Sequence, residues 1–283
     1  MSKVPTPSAA SGKKQRSDKL SENISGYTLI APNLIGFLVF TLFGIVFSLA
    51  MAFTDWNLIR GYENANFVGL DNFTTMFNDI YLRACLVNNA KLLLVVPITL
   101  FLAAVLATLM NRAIYGKGGA RALYFMPYVT NIVAIATVWQ ALFHKTKGPI
   151  NVLLLVWKDI GYDILMYSGA LQSIPKELYE AADMDGAGPI TKFFKITLPQ
   201  LKPTTFMLTI LGIVSSLQMW SFVQIITGGG PGTATYTLGL YIYRSAFITY
   251  KTGYACALAW FLCAIVMIFT IIRNKVEQKY ENE

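Results

Sequence analysis

The sequence predicts an all-α integral membrane protein with six transmembrane helices, and three observations lead there. Of its 283 residues 55% are hydrophobic and only 13% charged, with a mean hydropathy of +0.51. A soluble domain carries roughly 25% charged residues, and half that share cannot cover a globule of this size without leaving large apolar patches. Intrinsic disorder needs low hydrophobicity and high charge, so it is excluded too. Six apolar runs approach the roughly 20 residues that cross a bilayer at 1.5 Å each. Basic residues, finally, flank those runs on one side far more than on the other.

The runs are Tyr27–Phe53, Ala84–Met110, Ala122–Phe143, Ile150–Ala170, Thr204–Thr227 and Tyr254–Ile272. The first is too long for a signal-peptide core and lacks a small-residue cleavage site, so it is expected to remain as a span. Fifteen Lys and Arg fall in the N-terminal tail, the connections after the second and fourth runs, and the C-terminal tail, against six in the other three connections. The positive-inside rule then places both termini in the cytoplasm. Net charge is +8, but its placement beside the spans reads as topology and not as a nucleic-acid surface. Residues 1–26 form a basic, Ser-rich cytoplasmic tail, expected to be flexible. It acts as a topology signal or as a contact to anionic lipid. Residues 27–273 form the transmembrane domain and 274–283 a cytoplasmic C-tail. Pro32, Pro97 and Pro127 should kink their spans without ending them, because neighbours in a bundle can re-satisfy the freed carbonyls. Cys85, Cys256 and Cys263 have neither even number nor metal-ligand spacing, so they read as packing thiols.

The connection 171–202 is the most informative stretch. Pro175 suits a first helical position, Glu177 and Glu180 complement a helix N-terminus, and Gly186, Gly188 and Pro189 stop the helix. A short helix from Pro175 to Asp185 is expected, then a turn and an amphipathic stretch to Leu198. Ala181 and Ala182 keep one side low, as a docking element requires. Glu180-Ala181-Ala182, Gly186 four residues on, and Ile196-x-Leu198-Pro199 after nine more reproduce the EAA-x3-G-x9-I-x-LP motif at every fixed position. The chain here resembles the permeases of ABC importers. Phe67–Phe73, Arg121–Tyr128 and Thr227–Thr233 are similar to segments of the maltose- and glycerol-phosphate-type carbohydrate permeases, so the resemblance runs from about Tyr27 to Arg273.

That resemblance implies the type I importer permease fold and a bacterial or archaeal cytoplasmic membrane. It also implies a heterodimer with a second, homologous permease, two ATPase subunits and an extracytoplasmic solute-binding protein. Glu180, Ala181, Ala182 and Gly186 would dock the ATPase, Glu180 through a charge-assisted contact and Gly186 as the close-approach turn. The chain has no G-x4-GK[ST] loop, so ATP and Mg are expected on the partner ATPase and no cofactor here.

Lys158, Asp159 and Asp163 fall inside the fourth span, where a charged side chain costs about 2.5–3.5 kcal/mol on insertion scales. Asp159 and Asp163 share a helix face, with Tyr162 close to it. Carboxylates beside an aromatic ring suit a sugar. By resemblance Lys158, Asp159 and Tyr162 contact sugar, with Ser215, Ser216, Gln218 and Met219 of the fifth span as a second cluster. The bland alternative is pairing among themselves or with the second permease. Paired carboxylates could also serve glycoside chemistry, but no other catalytic group accompanies them. A passive channel would leave the docking loop without a purpose. The expected function is half of the translocation pathway of an importer for a sugar or oligosaccharide, with glycerol phosphate or another polar solute as the alternative. One departure stands out. The resembled family carries about twenty more external residues before Trp157, so this chain has either a compact loop there or a missing segment; the second is favoured.

Overall fold

A computed structural model describes residues 27–111, 117–142 and 149–281, all of it helix and loop apart from one isolated bridge between Thr54 and Phe67. The basic tail, 1–26, lies outside the described residues. The chain divides into two compact units, Met1–Met51 and Ala52–Glu283. The first contributes α1 (Tyr27–Met51), an apolar helix with a π-helical stretch at Phe37–Leu42.

In the second unit α2 (Asp71–Asn78) precedes α3 (Ile80–Leu93) and α4 (Val95–Asn111), which together form one long apolar segment, Ile80–Asn111. They meet at Leu94, three residues before Pro97, whose missing N–H removes the bond to Leu93. This is the expected kink. The third run behaves differently: α5 (Lys117–Val129) ends two residues after Pro127, and α6 (Ile132–Leu142) starts afresh. The Asn131 side chain accepts from the Val133 N–H at 2.8 Å, so it caps a new helix and turns a kink into a break. The fourth run is the single helix α7 (Pro149–Gln172).

The expected docking helix is α8 (Lys176–Met184), followed by α9 (Pro189–Lys192) and a further helical stretch through 193–200. The fifth run is also broken, into α10 (Lys202–Leu217) and α11 (Ser221–Ile226). At the break Thr237 Oγ1 donates to Met219 O at 2.6 Å. A Cβ on Gly239 would lie 3.0 Å from Gln218 O, so the start of α12 (Leu238–Phe247) lies directly against the break. The last helix, α13 (Thr252–Glu281), continues through most of the expected C-tail. Among the described residues three helices are long and apolar enough to cross a membrane, α1, the α3–α4 segment and α13.

Two packed clusters organise the second unit. On α4, Leu100, Ala103, Ala104 and Ala107 fall on one face at helical spacing and are buried against Ile160, Ile164 and Tyr167 of α7, with Leu208 of α10. Small residues let two helix backbones approach in a medium where apolar burial gives no drive. Gly161 takes this to its limit, since a Cβ there would sit 2.0 Å from the carbonyl oxygen of Tyr124 on α5.

The second cluster joins α3, α12 and α13 through Leu82, Cys85, Leu238, Leu240, Leu258 and Leu262, and polar side chains fasten it. Asp79 caps α3 by accepting from Tyr81 N at 2.8 Å. It also accepts from the Tyr254 hydroxyl at 2.7 Å and from Tyr241. Burial pushes the Asp79 carboxyl up, but these donors outweigh it and hold the group below the usual carboxylate range. Asn88 donates to Thr233 O and Tyr236 O at 2.9 and 3.0 Å. Asn89 donates to Leu217 O and accepts from Leu238 N, both at 3.2 Å. Arg244 donates to the Tyr236 hydroxyl and to Gly228 O, holding the glycine-rich 227–233 loop.

Candidate functional site

The first candidate is the exposed loop around α8. Its helix ends in a paired C-cap: Ala187 N–H donates to Ala182 O at 2.9 Å and Gly186 N–H to Asp183 O at 3.1 Å, with Gly186 at φ +69°. That left-handed conformation favours glycine, which explains Gly186 at this position. Glu180, Ala181 and Gly186 are exposed and Ala182 is half-buried, and nothing lies within 4 Å of where a Gly186 Cβ would sit. Met184, Ile190 and Phe194 add exposed apolar surface. Two contacts stiffen the loop: an ion pair between Asp183 and Lys192, and a hydrogen bond of 2.9 Å between the Tyr179 and Thr197 hydroxyls. The far end of the loop runs straight into α10.

The second candidate is a cavity of about 300 Å³ walled by α4, α5, α7 and α10. Asp159, Tyr162 and Asp163 of α7 line it, as do Ser215 and Ser216 of α10, Thr99 of α4 and Tyr128 of α5. Tyr128 and Tyr162 stack with ring centroids 4.9 Å apart and planes 25° from parallel. Gly212 lets α10 close on α4, since a Cβ there would meet Val96 at 2.7 Å. Lys158 is not part of the lining; it pairs with Asp159. Asp163 is half-buried and makes no hydrogen bond or ion pair among the described residues. Ser216 is only 9% exposed, and its hydroxyl likewise has no partner among them. A second cavity of about 490 Å³ beside Pro97, Phe101 and Phe269 has no charged residue in its lining.

The cavity thus brings together Asp159, Tyr162, Ser215 and Ser216, which the sequence singles out from two distant runs. Gln218 and Met219 lie just beyond it, in the break between α10 and α11. Tyr128 and Thr99 join the lining without having been singled out. Tyr128 lies in the Arg121–Tyr128 segment, but nothing local in that segment aims its ring at Tyr162.

The family profile described as "Binding-protein-dependent transport system inner membrane component" matches residues 96–282. The probable ABC transporter permease protein YesP of Bacillus subtilis (strain 168) is 33% identical, over 93% of each chain. That alignment runs over 293 residues, more than the 283 of this chain, so it bridges stretches of the relative that have no counterpart here. The sn-glycerol-3-phosphate transport system permease protein UgpA of Shigella flexneri is 31% identical, over 89% of this chain and 94% of that one. In fold the chain is similar to a bacterial ABC transporter involved in the import of the acidic polysaccharide alginate. The TM-score is 0.81 at 20% identity, over 94% of this chain and 99% of that one.

Proposed function

Because the chain belongs to the binding-protein-dependent transport system inner membrane component family, we propose that it is half of the translocation pathway of an ATP-driven importer for a sugar or oligosaccharide. Six spans cross the membrane in this reading: α1, α3–α4, α5–α6, α7, α10–α11 and α13, with both termini and the 171–202 loop in the cytoplasm. The chain pairs with a second, related permease. Two ATPase subunits bind ATP and Mg below it, and an external solute-binding protein delivers cargo from the other side.

The observation that carries this reading is the continuity between the two candidate sites. An exposed helix–turn bearing Glu180, Ala181, Ala182 and Gly186 leads without a flexible linker into α10, which places Ser215 and Ser216 on the cavity wall. A partner that pulls or rotates α8 therefore acts on the two cavity walls that the loop joins, α7 with Asp159 and Tyr162 and α10 with Ser215 and Ser216. Gly186 allows the turn to lie flat against a partner, and Glu180 offers it a carboxylate for a charge-assisted contact. The Asp183–Lys192 pair and the Tyr179–Thr197 bond keep the motion from dissipating within the loop.

Inside the cavity, hydroxyls and carboxylates supply hydrogen-bond partners for a polyhydroxylated cargo, and the stacked Tyr128–Tyr162 pair supplies an apolar face for a pyranose ring. A phosphorylated cargo such as that named for the relative UgpA fits less well, because Lys158 is already paired.

Affinity purification of the full assembly from its native membrane tests the reading. A second permease and an ATPase should travel with the tagged chain, and the ATPase should be lost from Gly186→Arg, which forces a long side chain into φ +69° and blocks the flat approach. A wild-type chain recovered alone after crosslinking would contradict it.

A further inference from the structure

Resting on the saccharide reading of the cavity between α4, α5, α7 and α10, we propose that the cavity admits neutral or amine-bearing saccharides and rejects anionic ones, with Asp163 as the residue that sets this selection. The charged side chains in the lining are Asp159 and Asp163, both from α7. Asp159 is compensated by Lys158, while Asp163 has no counter-charge or hydrogen-bond donor among the described residues. The facing elements add none: α4 presents Thr99, whose hydroxyl donates to Val95 O at 3.0 Å, α5 presents Tyr128, and α10 presents two serines.

A carboxylate within a membrane helix is costly unless a cavity or a partner offsets it, and here no partner among the described residues does so. Ser216 points the same way independently. It is a residue only 9% exposed on the α10 wall of the same cavity, and its hydroxyl makes no bond among the described residues. The two unmet groups ask for a ligand that donates hydrogen bonds to a carboxylate and also engages a hydroxyl. Sugar hydroxyls do this, and an ammonium group does it more strongly because the bond is then charge-assisted. A carboxylated, sulfonated or phosphorylated sugar instead brings a second negative charge into a low-dielectric site, where like charges cost several kcal/mol.

The test is saturation-transfer NMR on the complete importer assembly in nanodiscs, without the binding protein, so that only the permease cavity selects. Three disaccharides of matched size serve as probes: the cationic chitosan disaccharide, neutral cellobiose and anionic digalacturonate. Expected is measurable contact for the first two, strongest for the amine, and binding of digalacturonate weaker than cellobiose by about tenfold or more, a gap of about 1.4 kcal/mol. In Asp163→Asn the preference for the amine should collapse and the anion should gain, with cellobiose changed least. Equal binding of all three probes to the wild-type assembly, or an unchanged charge preference in Asp163→Asn, would overturn the inference while leaving the saccharide site standing. No contact with any of the three would overturn the saccharide reading itself.

Discussion

At the α3–α12–α13 cluster Asp79, Asn88 and Asn89 each hold at least two hydrogen bonds, all to groups of the chain itself. In the cavity Asp163 and Ser216, also polar side chains on helices of the bundle, hold none among the described residues. Both regions place polar groups where hydration is poor, yet in the first they join helix ends and loops into one body. In the second the helices around them are packed by other means, by the alanine face of α4 and by the glycine contacts Gly161–Tyr124 and Gly212–Val96. Polar residues in membrane segments therefore sort by whether the fold satisfies them. Satisfied groups fasten helices, and unsatisfied ones facing a cavity await something from outside the chain.

The sharpest way to break this comparison is Asn89→Leu. It removes a side chain only 2% exposed and orphans both Leu217 O and Leu238 N, each worth about 1–3 kcal/mol when left buried and unpaired. Thermal unfolding of the purified assembly should show a melting temperature several degrees lower, the largest stability loss of the set. Asp79→Asn comes next, at about 1.5–3 kcal/mol for losing the charged acceptor of two tyrosine hydroxyls. Its carboxyl titrates below the ordinary value. Its contribution is therefore complete above the unfolded value of about 3.9 and fades as pH falls through the folded one. Acid titration of stability should show that loss in the wild type and a flatter acid limb in Asp79→Asn.

Asp163→Asn should not lower stability and should raise it, because it removes an unpaired carboxylate from an apolar helix, while altering which saccharide binds. Ser216→Ala should be smallest of all in melting temperature, with a binding loss of about 0.5–1.5 kcal/mol for one hydrogen bond. A large drop in melting temperature for either cavity variant would erase the distinction between the two regions.

Much of the helical plan is legible from hydropathy, because each of the six apolar runs falls mainly on helix among the described residues. The breaks are not. Nothing in the apolar pattern marks 130–131 or 218–220. Asn131 could have been read as a helix cap, but the second break is set by Thr237 and Gly239, nearly twenty residues away, and local pattern carries no such information. The fold of the 171–202 loop was legible almost residue by residue, since glycine and proline stop signals act locally; α8 runs from Lys176 to Met184 within the expected Pro175–Asp185. The cavity was half legible. Charge inside an apolar run exposes Asp159 and Asp163 directly, whereas Tyr128 looks like any aromatic in a span until α5 and α7 meet at Gly161. Gln218 and Met219 follow Ser215 and Ser216 at helical spacing, and only the helix break separates them from the lining.

The most direct test pairs two readouts on two variants of the assembled transporter: melting temperature, and the saturation-transfer signal of cellobiose and the chitosan disaccharide. Asn89→Leu should melt several degrees lower while keeping the wild-type preference for the amine, and Asp163→Asn should melt no lower than the wild type while losing that preference. If Asp163→Asn instead melts as low as Asn89→Leu and binds both sugars as the wild type does, then Asp163 belongs to the fold and the cavity's polar groups are not there for a ligand.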